Sequence, residues 1–397
     1  MKKYKYLIVG GGMTADSAVH GIREVDRDGE VGLLGDETEP PYNRPLLSKG
    51  LWKNKTVKDI WRGTEACGVD LLLGRRAVAL DATTKLVTDD RGEVYAFDKL
   101  LLATGGTPRR LHSDDTGVLY YRTLQDYRGL RAMTEQKQRF AVIGGGFIGS
   151  EIAAALAMNG KSVVMGFLES GLCGRIFPVE ISHFLNRYYQ EKGVRLFSGR
   201  GLAKLERVGE AFTVRLEDGT TFTVDGVIAG LGIVPNLELA AQAGLAVDSG
   251  IVVDGLLRTT NPDIFAAGDV ASFFNPALNL RLRVEHEDNA NTMGKRAGRN
   301  MAGEEEPYDH LPFFYSDLFD HGYEAVGQTD PSLETFVHWE EPNRKGAVFY
   351  LNNGCVRGVL LWNNFGKVDE ARKLISTPGS GNAAALQAWY REKVQRG

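Results

Sequence analysis

The stretch YKYLIVGGGMTADSA, residues 4–18, is spelled a second time as RFAVIGGGFIGSEIA at residues 139–153. In the first copy Tyr4 to Val9 is a β-rich run with an apolar centre at Tyr6–Val9, and TADSAVHGIREV (14–25) follows with helical spacing. Between them, Gly10, Gly12 and Ala15 stand at the offsets of a G-x-G-x-x-G/A turn. The first glycine of such a turn permits the sharp bend, and the second lets backbone approach a pyrophosphate. The third small residue packs helix on strand, while the helix start offers N–H groups to the anion. The spelling alone is weak in a chain with 48 glycines, so the strand-turn-helix context carries the reading. A second strand, EVGLLGDE (30–37), supplies Asp36 where an acid would read an adenosine ribose.

The downstream copy repeats every part. Gly144, Gly146 and Gly149 separate the strand RFAVI from the helix SEIAAALAMNG, and the next strand, KSVVMGF, leads to Glu169. Two complete fingerprints imply two dinucleotides. A protein that grips two of them is expected to pass a hydride between a soluble donor, NAD(P)H, and a resident acceptor, FAD.

The rest of the composition narrows the class. At 397 residues the chain exceeds one ordinary hydrophobic core, so two or three domains are expected. With 43% hydrophobic and 25% charged residues it reads as globular, and a net charge of −4 argues against a chain-wide nucleic-acid footprint. Cys67, Cys173 and Cys355 form no C-x-x-C, and the seven histidines form no ligand-spaced pair, so neither a dithiol relay nor a protein-built metal site is expected. No apolar run is long enough to span a bilayer, and the first strand starts too near Met1 to leave room for a leader, so a cytoplasmic protein is expected.

Further motifs carry a resemblance: PPYNRPLLSK (40–49), LLATGGTPR (101–109), GLGIVPN (230–236), IFAAGD (264–269), VEHEDNA (284–290), YSDLFDHGYEAVG (315–327) and GVLLWNNF (358–365). Over essentially its whole length the chain resembles the pyridine-nucleotide reductase flavoproteins. It is most similar to the apoptosis-inducing factor type, with ferredoxin and rubredoxin reductases as next of kin. The resemblance implies an α/β fold of two doubly wound, Rossmann-like domains, the second inserted in the first, plus a C-terminal α+β domain. The implied boundaries are 1–116 and 247–307 for FAD, 117–246 for NAD(P), and 308–397 for the C-terminal interface domain. Read directly, GAVFYLNNGCVRGVLLW (346–362) is a β-hairpin about Asn352-Asn353-Gly354, followed by helical patterns at 368–375 and 382–394.

By resemblance, Gly10, Gly12 and Ala15 face the FAD pyrophosphate, and Arg44 and Lys49 belong to the loop after the second strand, Lys49 reaching toward flavin N5. Ala77 contacts adenine, Arg122 binds cofactor at the domain crossover, and Asp269 binds the ribityl or phosphate region. Glu285, His286 and Glu287 precede or open a helix whose positive end favours reduced flavin. For the nicotinamide cofactor the resemblance points to Gly146, Phe147, Ile148, Glu151, Gly232, Glu324 and Asn363, with Glu151 on the carboxamide. Lys49 and Glu151 are the implied catalytic residues. Glu169 favours NADH, because a 2′-phosphate is repelled by a carboxylate, yet Arg175 nearby keeps NADPH open. Where the family often carries tryptophan this chain has Tyr315, and the consensus RPPLSK reads Leu46 at its third position.

Disulfide reductases of this group place a redox cysteine pair on the loop after the second strand, and PPYNRPLLSK holds none, so electrons must leave the flavin directly. Two destinations stay open. One is a small carrier such as ferredoxin or rubredoxin, docking near Lys53, Lys55, Arg109 and Arg110. The other, suggested by the resemblance to apoptosis-inducing factor, is an NADH-responsive redox sensor with slow oxidase activity that changes assembly state, a homodimer included.

Overall fold

A computed structural model describes residues 1–111 and 117–395; His112 and the end of the first expected FAD segment lie outside them. The chain divides into two compact units. Among the described residues no helix is long and apolar enough to cross a membrane.

The first unit takes Met1–Arg44, Thr56–Thr107 and Val234–Phe313. Its sheet runs Asp70–Leu73, Val31–Gly35, Lys2–Val9, Val94–Leu102, all parallel, with Ile264–Ala266 also parallel to Val94–Leu102. An antiparallel hairpin, Ala77–Asp81 with Leu86–Asp89, extends it. Leu7 and Ile8 are fully buried, as a strand covered on both faces requires. Register sets Val9 level with Leu34 and Leu102, and Ala266 with Leu102, so four strands finish together. A crevice at such carboxyl ends is where ligands of doubly wound sheets bind.

Helix Met13–Val25 buries Ala15, Ala18, Val19 and Ile22, an i, i+3, i+4, i+7 stripe. Its neighbour, helix Glu287–Met301, approaches very closely. A Cβ on Gly294 would lie 2.3 Å from the Thr14 carbonyl oxygen, and one on Gly298 2.1 Å from that of Ala18. The spacing Gly294-x-x-x-Gly298 is thus a flat strip into which the first helix settles.

The second unit takes Pro45–Lys55, Pro108–Ile233 and Phe314–Gly397. It repeats the doubly wound pattern with a parallel sheet ordered Arg195–Ser198, Ser162–Phe167, Arg139–Ile143, Gly226–Ala229, Leu119–Tyr120. A three-stranded antiparallel sheet packs on it through Phe212, Val214 and Leu216, which share a core with Ala141 and Val227. The C-terminal part is a five-stranded sheet ordered Phe313–Leu318, His321–Gly327, Cys355–Trp362, Lys345–Asn352, Glu334–Glu341. The expected hairpin is present: Lys345–Asn352 pairs antiparallel with Cys355–Trp362, and Asn353 and Gly354 supply the positive φ of its two-residue turn. Helices Val368–Ile375 and Ala383–Trp389 follow, the latter continuing as a π-helical turn, Tyr390–Gln395.

Candidate active site

Both glycine turns have one construction. Gly10 and Gly144 adopt φ of 129° and 110°, and a Cβ on them would meet the carbonyl oxygens of Ala103 and Gly230 at 2.1 and 2.3 Å. Gly12 and Gly146 cap the two fingerprint helices in extended conformations with no side-chain cap, and nothing lies within 4 Å of where their Cβ atoms would be. An open, uncapped helix start behind a glycine suits a pyrophosphate. Both cradles therefore fit a dinucleotide. The third small position is filled by fully buried Ala15 in one copy; in the other a Cβ on Gly149 would fall 2.0 Å from the Gly144 oxygen.

In the first unit several predicted FAD residues gather at the strand ends. Gly35 abuts Gly11, with 3.2 Å from its Cβ position to the Gly11 Cα, and Asp36 follows it in solvent. Arg44 is tied to Glu37 at 2.7 Å and to the Tyr42 hydroxyl at 3.0 Å, and that hydroxyl donates to Glu37 at 2.6 Å. Glu37, unread in the sequence, is thus the acid that holds the arginine. Asp269 sits in the turn Gly268–Val270, whose Gly268 Cβ position is 2.3 Å from the Thr14 hydroxyl of the fingerprint helix. Its backbone oxygen accepts from Arg283, which also pairs with Glu285 at 2.6 Å. His286 caps helix Glu287–Met301, and burial pulls its imidazole down to about 4 against the smaller opposing effect of Asp269 and Asp288. Glu287 and Asp288 lie in that helix's first turn. Ala77 begins the antiparallel hairpin, half-buried.

In the second unit the structure joins Lys49, Glu151 and Tyr315. Glu151 projects from the fingerprint helix Phe147–Met158 and is 4% exposed. Its Oε1 accepts from Lys49 Nζ at 2.7 Å and from Ser316 Oγ at 2.5 Å; its Oε2 accepts from Ser48 Oγ at 2.5 Å. Lys49 Nζ stands 5.4 Å from the Tyr315 ring centroid, within cation–π range. Neither serine carries a mark of this role in the sequence, although each adjoins a residue that does. Phe147 packs edge-on against Phe314 at 5.2 Å, and Ile148 is exposed.

The other predicted nicotinamide residues are engaged elsewhere in this unit. Glu169 pairs with Arg175 at 2.5 Å, the arginine side chain 81% exposed. Gly232 has open space at its Cβ position and accepts from the Arg109 amide. Glu324 accepts the Gly366 amide at 2.9 Å, and burial raises its carboxyl above the usual range. The Asn363 amide binds Gly322 N–H, His321 Nδ1 and the Arg344 oxygen. Arg122 lies just before helix Leu124–Gln136, its N–H given to Asp126 at 3.0 Å. Cys173, beside the second cradle through its N–H to the Gly145 oxygen, has its thiol pushed up to about 12 by burial, so it is held protonated and unreactive.

Two nucleotide cradles, a buried lysine–glutamate pair and a loop without cysteines define a flavoprotein oxidoreductase that works between NAD(P)H and FAD. The chain belongs to the pyridine nucleotide-disulphide oxidoreductase family, whose profile matches residues 4–294. A second profile, the C-terminal part of mitochondrion-associated apoptosis-inducing factor, matches residues 297–343 and 337–377. The chain is 35% identical to apoptosis-inducing factor 1, mitochondrial, of Dictyostelium discoideum, over 94% of this chain and 79% of that protein. It is likewise 35% identical to the 5,5'-dehydrodivanillate O-demethylase ferredoxin reductase subunit of Sphingobium sp., over 94% of each. Among solved structures, the covalent putidaredoxin reductase–putidaredoxin complex matches with TM-score 0.90 and 29% identity, covering 99% of this chain and 100% of that one.

Proposed function

We propose that this chain takes electrons from NADH and delivers them singly to a small iron–sulfur carrier of the ferredoxin type. The observation that carries the reading is the pairing of Lys49, on a cysteine-free loop, with Glu151 of the second fingerprint helix. Bound FAD supplies the chemistry that accepts an electron pair and releases it one electron at a time. The chain's own residues do the rest. Gly10, Gly12, Ala15, Asp36, Arg44, Ala77, Arg122, Asp269 and the Glu285–Glu287 segment hold FAD. Gly146, Phe147, Ile148, Gly232, Glu324 and Asn363 hold the nicotinamide nucleotide, within domains bounded as the sequence suggests. Glu151 would orient the carboxamide, and Lys49 would supply the cation that stabilises an anionic reduced ring. Glu169 binds the adenosine ribose, and its partner Arg175 leaves NADPH as a weaker alternative. Three free thiols suit a reducing cytoplasm.

Stopped-flow mixing tests this. NADH should bleach the yellow protein within the dead time or shortly after, and a [2Fe–2S] ferredoxin should restore the colour in repeated turnovers. The C-terminal profile match to apoptosis-inducing factor favours one alternative, a redox sensor. Slow bleaching, a persistent long-wavelength band and dimer formation would replace the reductase by that sensor.

A further inference from the structure

The carboxylate of Glu151 is addressed on both oxygens. Lys49 alone would leave it free to rotate about its last bond, exchanging one oxygen for the other. Ser316 Oγ at 2.5 Å from Oε1 and Ser48 Oγ at 2.5 Å from Oε2 remove that freedom. Both serines are buried, 1% and 6% exposed, so water does not take their place. Ser316 comes from strand Phe313–Leu318, whose alternation turns Ser316 inward and Tyr315 and Asp317 outward. Along this strand Tyr315 faces Lys49 and Ser316 bonds Glu151, while outward Asp317 stands 3.8 Å from Lys53.

We propose that Ser316, seconded by Ser48, is a positioning residue: its hydroxyl fixes the rotation of the Glu151 carboxylate and, through it, the place of the Lys49 ammonium. The proposal rests on Lys49 and Glu151 being the working pair. It makes the C-terminal sheet part of the active site by way of one hydroxyl proton.

The test uses the full chain reconstituted with FAD, as wild type, Ser316→Ala, Ser316→Thr and Ser48→Ala. A hydrogen bond to a charged group is worth about ten- to a hundredfold in rate when it acts on the transition state. Ser316→Ala should therefore lower the limiting rate of flavin reduction by about tenfold or more, with the half-saturating NADH concentration changed less than about twofold. Ser316→Thr, which keeps the hydroxyl, should restore the rate, and crystal structures should show the Glu151 carboxylate rotated in the alanine variant only. If Ser316→Ala does not fold, Ser48→Ala carries the same expectation on the other oxygen. A wild-type rate in both alanine variants, equal losses in the alanine and threonine variants, or an unmoved carboxylate overturns the proposal. Wild-type protein whose flavin NADH fails to reduce refutes instead the functional reading, and the carboxylate's position in the crystals still decides this one.

Discussion

Glu151 is the residue on which the site turns, because its charge is buried and shared. Removing it strands the Lys49 ammonium, whose side chain is 13% exposed, in a place where water cannot compensate. Breaking such a pair from one side typically destabilises by about 3–5 kcal/mol. Glu151→Ala should therefore retain FAD yet lower the thermal midpoint and slow reduction by NADH, and Glu151→Gln, which fills the same space but also strands the ammonium, should lose both stability and rate as well. Calorimetry and stopped-flow absorbance on the two variants separate the effects. His286 gives a second residue-scale expectation. Burial holds its pKa near 4 against an ordinary 6.5, so the unfolded chain takes up the proton first as pH falls. Its contribution to stability is complete above pH 6.5 and is lost between 6.5 and 4. His286→Gln should flatten that limb in denaturant titrations of the apoprotein.

At the scale of elements, the glycines divide into two kinds that the spelling G-x-G-x-x-G cannot distinguish. Gly12 and Gly146 face open space in unstrained extended backbone. Alanine there should leave the apoprotein as stable as before while weakening FAD and NADH binding, respectively, by at least about tenfold. Gly294 is the opposite case, since its Cβ would collide with Thr14 backbone at 2.3 Å. Gly294→Ala should destabilise the apoprotein by about 1–3 kcal/mol, read from the denaturation midpoint. The turns, their strands and the late hairpin were legible in the sequence because each is written locally, by periodicity and by residues that tolerate positive φ. Ser48, Ser316 and Glu37 were not. A serine or glutamate next to a motif carries no local mark of its partner, and Glu151 meets Ser316 only across 165 positions of chain. Similarly, the division of the loop after Arg44, whose Pro45–Lys55 portion packs with the second unit, has no compositional signal.

For the whole molecule, the question is where electrons leave. Lys53, Lys55, Arg109 and Arg110 are exposed and belong to the second unit. If they meet an acidic carrier, raising ionic strength from about 0.05 to 0.5 M should slow ferredoxin reduction severalfold while leaving flavin reduction by NADH unchanged, as surface attractions are screened within about a Debye length. Steady-state and half-reaction rates measured across that series would check it. Charge reversal at Lys55, which takes no part in the Glu151 cluster, should reproduce the effect at fixed salt.

The interleaving of the two units also bears on how the chain is made. The strand Ile264–Ala266 joins the sheet beside Val94–Leu102, and the helix that seals the first fingerprint ends only at Met301. A ribosome delivering this protein from its amino end therefore releases the opening half of the first cradle long before its lining exists. The second cradle, whose parallel strands all lie between residues 119 and 229, can close first. The inserted nucleotide fold should protect itself from protease in nascent chains stalled once Ala229 has left the ribosome, while the leading segment stays open to cleavage.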